Sequence, residues 1–231
     1  MKPEIDLSAA MTYATADPDW VRKSLIAGVV FFIPFVGPFV LLGWQKRLMD
    51  QALTNPEIPA IDFGPDLAEG VRVFVALMIT TAPAIAILVV VQCAGFLPAV
   101  ALAPIENEGV RAVITMATSL LMLVGTGIFM LLMIAYQVLM PDLLRRIFRG
   151  ELAPVLSLGK SISAIKRQPT PYVVAFVGIL LAQIIGSLGV VLCFVGIVLT
   201  YPLSLLVLSH VLAQWDRIAA GSEAELAQLG G

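Results

Sequence analysis

Charge is what this sequence has least of. Only 13% of its 231 residues are Asp, Glu, Lys or Arg, while 59% are apolar, and the mean hydropathy is +0.97. Soluble domains carry about 25% charged and about 45–50% apolar residues, so a soluble fold would have too little polar surface to cover its core. The deficit comes in blocks. No charged residue occurs from Ser24 to Gln45, from Val73 to Ile105, from Ala112 to Pro141, or from Gln168 to Trp215.

Other absences exclude chemistry. One histidine, His210, and two cysteines, Cys93 and Cys193, are too few for a metal centre. No carboxylate lies inside an apolar tract to exchange protons with His210, so a hydrogen-bonded or snorkelling role is expected rather than a proton relay. Leu158-Gly159-Lys160-Ser161 has the tail of a phosphate loop, but Pro154 stands where the motif needs its first glycine. No carboxylate pair, nucleophile with a base, redox ligand set or nucleic-acid patch stands out. The expectation is a protein without enzymatic activity, cofactor or nucleic-acid partner.

What is present is length without charge. A helix crosses the hydrocarbon in roughly 20 apolar residues, so the tracts beginning at residues 73 and 112 each hold one crossing and the last holds two. Backbone amides in lipid must be satisfied within the segment, and the tracts lack the alternation of barrel strands. The predicted class is an all-α integral membrane protein with four transmembrane helices. Met1 to Trp20 carries Glu4, Asp6, Asp17 and Asp19 with no apolar run before Ser24, which is not a cleaved-signal pattern.

Six of the 14 basic residues fall between Pro141 and Arg167: Arg145, Arg146, Arg149, Lys160, Lys166 and Arg167. The positive-inside rule puts that stretch in the cytoplasm. Counting crossings from it leaves Arg111 alone outside. The organisation expected is a single membrane domain over 1–231. It comprises an N-terminus at 1–23 and a broken hairpin at 24–45, followed by an interfacial helix and linker at 46–71. A crossing at 72–103, an external loop at 104–111 and a second crossing at 112–140 come next. A basic cytoplasmic loop at 141–169, a transmembrane hairpin at 170–212 turning at Gly186-Ser187-Leu188-Gly189, and a cytoplasmic tail at 213–231 complete it. Cys93 and Cys193 fall near the external boundary, where an oxidising compartment permits pairing.

The tract at 24–45 has basic pairs at both ends, Arg22-Lys23 and Lys46-Arg47, and Pro34, Gly37 and Pro38 in its middle. Two readings stand: a re-entrant helical hairpin with both ends cytoplasmic, or a fifth, kinked crossing. Trp44 to Leu53 has helically spaced apolar residues with cations between them and is expected to lie at head-group level. Leu152 to Ile165 is a second amphipathic candidate, and Asn55 to Gly64 an extended linker. Phe35-Val36-Gly37 is echoed by Phe194-Val195-Gly196, with Pro38 and Pro202 following, a weak form of the broken-helix repeats found in transporters.

The run Asp19-Trp20 through Lys23, with Ile33-Pro34-Phe35-Val36-Gly37-Pro38, Leu42-Gly43-Trp44, Ile58-Pro59, Asp62-Phe63 and Gly70, resembles the family domain of unknown function 4013, polytopic membrane proteins of bacteria and archaea. Trp44 stands where that family usually has Tyr. Leu192 to Ile197 and Pro202 are similar to the same family and, more weakly, to the membrane domain of glycerophosphodiester phosphodiesterases. Neither resemblance implies an activity; the first implies the bacterial or archaeal cytoplasmic membrane. Pro34, Gly37, Pro38, Gly196 and Pro202 are the candidate hairpin and packing residues. Arg145, Arg146, Arg149, Lys166 and Arg167 are the candidate contacts for anionic lipid head groups. The function favoured is a structural or assembly subunit of a membrane complex, or a bilayer-shaping protein, working as a homo-oligomer or with partner subunits. The alternative is a transporter or channel for lipid or a small solute, with its site at the broken helix.

Overall fold

The computed structural model describes residues 4–101, 107–191 and 195–229. Among them are eight α-helices and one 3₁₀ turn, and no strand. The helices are α1 (Leu7–Ala16), α2 (Trp20–Phe31), α3 (Val36–Gln51), α4 (Phe63–Ala101), α5 (Glu108–Phe148), α6 (Leu158–Arg167), α7 (Pro169–Val191) and α8 (Val195–Leu229), and the 3₁₀ turn is Pro154–Ser157. Four segments are long and apolar enough to cross a membrane: Phe63–Phe96, Glu108–Phe148, Pro169–Val191 and Gly196–Glu225.

The chain divides into two compact units. The first comprises Met1–Leu77 and Met140–Gly231 and is built around α8, which α1, α2, α3 and α7 all touch. From Ser204 to Asp216 every residue of α8 except Leu208 is buried. A helix buried on every side needs no amphipathic stripe. Trp44, Leu41 and Leu48 of α3, Ile58 of the linker after it and Phe148 at the end of α5 are buried with it. α1 is capped by Asp6, whose carboxylate accepts from the Ala9 amide, and is pinned to α8 by Gln214. That amide accepts from Asp6 N at 2.6 Å and donates to Asp6 O at 3.0 Å.

Close backbone approach is the main packing device here. α3 crosses the start of α4 at two glycines: a Cβ on Gly43 would stand 1.9 Å from the Asp66 carbonyl oxygen, and one on Gly70 1.7 Å from that of Phe39. Small residues at crossings are how helices associate where lipid removes the hydrophobic drive. Ion pairs close the polar end of the crossing, with Arg47 donating to Asp66 at 2.6 Å and to Ala60 O at 2.7 Å.

The second unit, Met78–Leu139, contains the later part of α4 and most of α5. Its side chains meet at Gly95, facing Met122, and Gly125, facing Val91. Thr81, Ile85 and Leu88 with Phe129, Met133 and Tyr136 line an apolar groove of about 290 Å³. Its outer faces are bare: Met116, Leu123, Leu131 and Val113 are all more than half exposed.

Several expectations are revised. Gly186–Gly189 lies inside α7, where a Cβ on Gly189 would meet Thr200 and Ile197 of α8, so these glycines serve helix contact and not a turn. Residues 44–51 continue α3, and the apolar positions Trp44, Leu48 and Met49 are buried in the protein core; head-group seating and core packing leave the same periodic signature. The helix α4 begins at Phe63, ahead of the crossing expected from 72, α5 runs to Phe148, into the expected loop, and the expected tail is largely the end of α8. Of the Leu152 to Ile165 candidate, only residues from Leu158 are α-helical. The linker is non-helical from Asn55 to Asp62. Of the external loop expected at 104–111, residues 104–106 lie outside the described residues and Glu108 to Arg111 open α5; Cys193 also lies outside them, and Cys93 is exposed.

Candidate functional site

Two places gather the residues the sequence singled out. The first is the break between α2 and α3. Pro34 sits in the turn, and its carbonyl accepts from Val36 N at 2.7 Å across Phe35, whose φ is 62° and ψ −51°. That is a three-residue γ-turn of the strained, positive-φ kind, held by a non-glycine residue. Gly37 opens α3 against α2, leaving no room for a Cβ beside Val30 O. Pro38 occupies the first turn of α3, where a missing N–H costs nothing.

The ends of this hairpin meet. The buried Asp17 carboxylate, just before α2, accepts from Lys23 Nζ at 2.6 Å, from Asp19 N at 2.7 Å, and from Ile58 N in the linker after α3 at 2.8 Å. Trp44 Nε1 donates to Pro59 O at 2.8 Å, closing the same junction. Burial pushes the Asp17 carboxyl up, but the Lys23 ammonium and the two amides outweigh it and hold it below the usual carboxylate range.

Pro202 lies within α8 and lacks an N–H, so the Val198 carbonyl loses its helical donor. Gly28 of α2 lies against that carbonyl: a Cβ there would stand 1.8 Å from Val198 O. Phe31 and Tyr201 stack with ring centroids 4.6 Å apart beside it. The broken hairpin therefore docks on the start of α8, near Gly196 and Pro202. The echo of Val-Gly at 36–37 and 195–196 marks the opening of two helices, but Pro38 and Pro202 occupy different positions in them; Phe194 lies outside the described residues. Gly28 carries the contact and sequence reasoning missed it, because an isolated Gly in an apolar run has no local signature.

The second place is a polar cavity of about 890 Å³ bounded by the end of α5, α6 and the later turns of α8. Arg145, Arg146, Arg149, Lys160 and Arg167 line it, with Glu151, Asp216 and Glu223 as its acids. Arg145 donates to Asp142 at 3.1 Å and to Glu223 at 3.0 Å. Arg146 grips Glu151 in a bidentate pair at 2.6 Å and donates to Ser161 at 3.0 Å. Its hydrogen bonds hold Glu151 below the usual carboxylate range. Arg149 pairs with Asp216. Arg145 and Arg146 are buried, at 7% and 4% exposure, and each is paired with an acid, Arg145 with one 78 residues away in sequence. Lys166 is exposed and is not among the residues lining the cavity; Arg167 is. Lys160, absent from the predicted contacts, lines it too.

His210 is buried, with Nδ1 2.8 Å from Gln214 Nε2 and its ring 5.0 Å from that of Tyr13. Gln214 spends its two amide hydrogens on Asp6 O and Nδ1, which leaves the imidazole proton on Nε2. It is a packed, hydrogen-bonded histidine and not a snorkelling one. No His, Cys, Asp and Glu grouping suited to a metal ion exists among the described residues.

A family model described as Protein of unknown function (DUF4013) matches residues 26–201, more than half of the chain and including Gly28, the α2–α3 break and the α3–α4 crossing. The chain belongs to that family. No curated protein and no solved structure matches it. The DUF4013 match covers the start of α8 through Tyr201 and stops before its buried polar stretch. A likeness to the membrane domain of glycerophosphodiester phosphodiesterases is not shown.

Proposed function

We propose that this chain is a structural or assembly subunit of a bacterial or archaeal cytoplasmic membrane, in which α2 and α3 form a re-entrant hairpin with both ends on the cytoplasmic face. The observation that carries it is the Asp17–Ile58 hydrogen bond. A kinked crossing would separate Asp17 from Ile58 by about a bilayer core of 30 Å. The tip fits the same reading: Val29, Phe32 and Phe35 are 61%, 47% and 85% exposed, and apolar side chains at a hairpin tip call for an apolar surround.

The work of such a subunit is contact rather than chemistry. Its basic cavity faces anionic head groups on the cytoplasmic side, and the bare faces of α4 and α5 meet lipid, further copies of the chain or partner subunits. A transport route along α8 has less support, because Ser209, His210 and Gln214 are committed to Gln45 O, to one another and to Asp6.

Single cysteines at Ser8, Glu57 and Asn107, all exposed, with Cys93 and Cys193 replaced by serine, separate the topologies. In spheroplasts a membrane-impermeant maleimide is expected to label Asn107→Cys and to spare Ser8→Cys and Glu57→Cys until the membrane is opened. External labelling of Ser8→Cys with protection of Glu57→Cys would establish the kinked crossing instead.

A further inference from the structure

We infer that the cavity between α5, α6 and α8 is a binding site for an organic phosphate, with Lys160, Ser163 and Arg167 as its ligating side chains. The inference is independent of whether α2 and α3 enter the bilayer.

The charge count starts the argument. Five cations line the cavity against three acids, and Asp142, paired with Arg145 behind the wall, brings the acids to four, so the cations remain in excess. The excess sits in a particular place. Arg145, Arg146 and Arg149 are each held by a carboxylate, whereas Lys160 and Arg167 form no ion pair among the described residues. Both belong to α6, where positions 160, 163, 164 and 167 share one face at helical spacing, and all four line the cavity. An ammonium, a hydroxyl and a guanidinium thus line one cavity, together with arginines fixed in position by their own acids. Unspent donors of this kind, in a cavity with a net excess of positive charge, match a phosphate oxyanion.

Size and surroundings refine the class. At about 890 Å³ the cavity is far larger than one phosphate group and falls in the range of sites that take a whole small molecule. The ligand is therefore phosphate carried on a larger polar body. Leu152 and Leu156, in the stretch leading into α6, are exposed at 51% and 84%, which leaves apolar side chains available to an acyl chain on the same segment. A lipid head group and a soluble phosphate ester share the chemistry; the experiment separates them.

The full chain in dodecyl maltoside is assayed for thermal shift with inorganic pyrophosphate, and by native mass spectrometry for retention of phosphatidylglycerol against phosphatidylcholine. The variants are Lys160→Gln with Arg167→Gln, and Lys166→Gln as a neighbouring exposed cation outside the cavity. The double variant is expected to weaken the response about tenfold with an unchanged melting temperature in the absence of ligand, and Lys166→Gln to change it by less than about twofold. Selective phosphatidylglycerol retention without a pyrophosphate shift assigns the site to lipid. A pyrophosphate shift with equal retention of the two lipids assigns it to a soluble phosphate. Absence of both responses, or an equal loss in Lys166→Gln, would overturn the site and leave only diffuse surface attraction.

Discussion

The two compact units solve the same membrane problem in opposite ways. In the unit that contains α8, the spanning window of that helix is 56% buried, while the window of α5, most of which lies in the other unit, is 0% buried. The more buried helix is the less hydrophobic of the two. Hydropathy therefore reports that a segment belongs in a membrane and not that it belongs in a core. α8 carries Ser204, Ser209, His210, Gln214 and Asp216 because hydrogen bonds within the helix and from its neighbours satisfy them; the exposed face of α5 is apolar. The α8 unit is held by glycine contacts, buried carboxylates and arginine pairs. Glu108 and Arg111 of the other unit form no salt bridge among the described residues.

Gly28→Val is the strongest way to break that contrast. The new side chain would collide with the backbone carbonyl of Val198, which cannot swing aside, so a loss of about 3 kcal/mol is expected, read as a collapse of the melting transition and of yield in detergent. Asp17→Ala comes next. It leaves the Ile58 and Asp19 amides without their acceptor and should cost about 2 kcal/mol, with protease cleavage appearing in the 54–62 linker.

The same carboxylate sets a pH dependence. Its folded pKa is depressed, so its stabilisation is present above the ordinary Asp value of about 3.9 and is lost as pH falls through the folded value. Wild-type stability should drop between about pH 5 and pH 2 more steeply than that of Asp17→Ala, and parallel acid melting curves for the two would contradict the assignment. Glu151, held down by Arg146, acts in the same direction in both proteins.

Phe35→Gly has the opposite sign. Glycine adopts positive φ without penalty, so the variant should gain about 1 kcal/mol where the strained γ-turn is the dominant cost. A loss instead would show that the apolar tip matters more than the strain, and comparing detergent with lipid nanodiscs measures that difference. The smallest effect belongs to Gly127→Val in the exposed unit. Nothing lies within 4 Å of a Cβ there, and the change should stay within about 0.5 kcal/mol. A large loss would reveal a partner helix on that face.

Much of this was readable in the chain. Charge-free tracts locate the four spans because a bilayer tolerates few unpaired charges. Pro34, Gly37 and Pro38 locate the break because two of them lack donors and the third permits close approach. The register of the spans was harder to see. Gly186–Gly189 looks like a turn in one dimension and is a contact between α7 and α8 in three, since the residue that suits a bend also suits close packing. Trp44, Leu48 and Met49 show the spacing of an interfacial helix, and periodicity does not say whether lipid or protein covers the face.

The basic cluster shows the same limit more sharply. Arg145 and Arg149 read as unpaired cations because Glu223 and Asp216 are distant in sequence, and only folding brings them within reach. Local composition determined that this chain is helical, that it spans a membrane and where its hairpin breaks, because those properties follow from the solvent and from backbone donors alone. The tertiary structure decided which cations remain unspent, that Val198 O faces Gly28, and that Asp17 meets Ile58, because each depends on a contact between residues that no local rule connects.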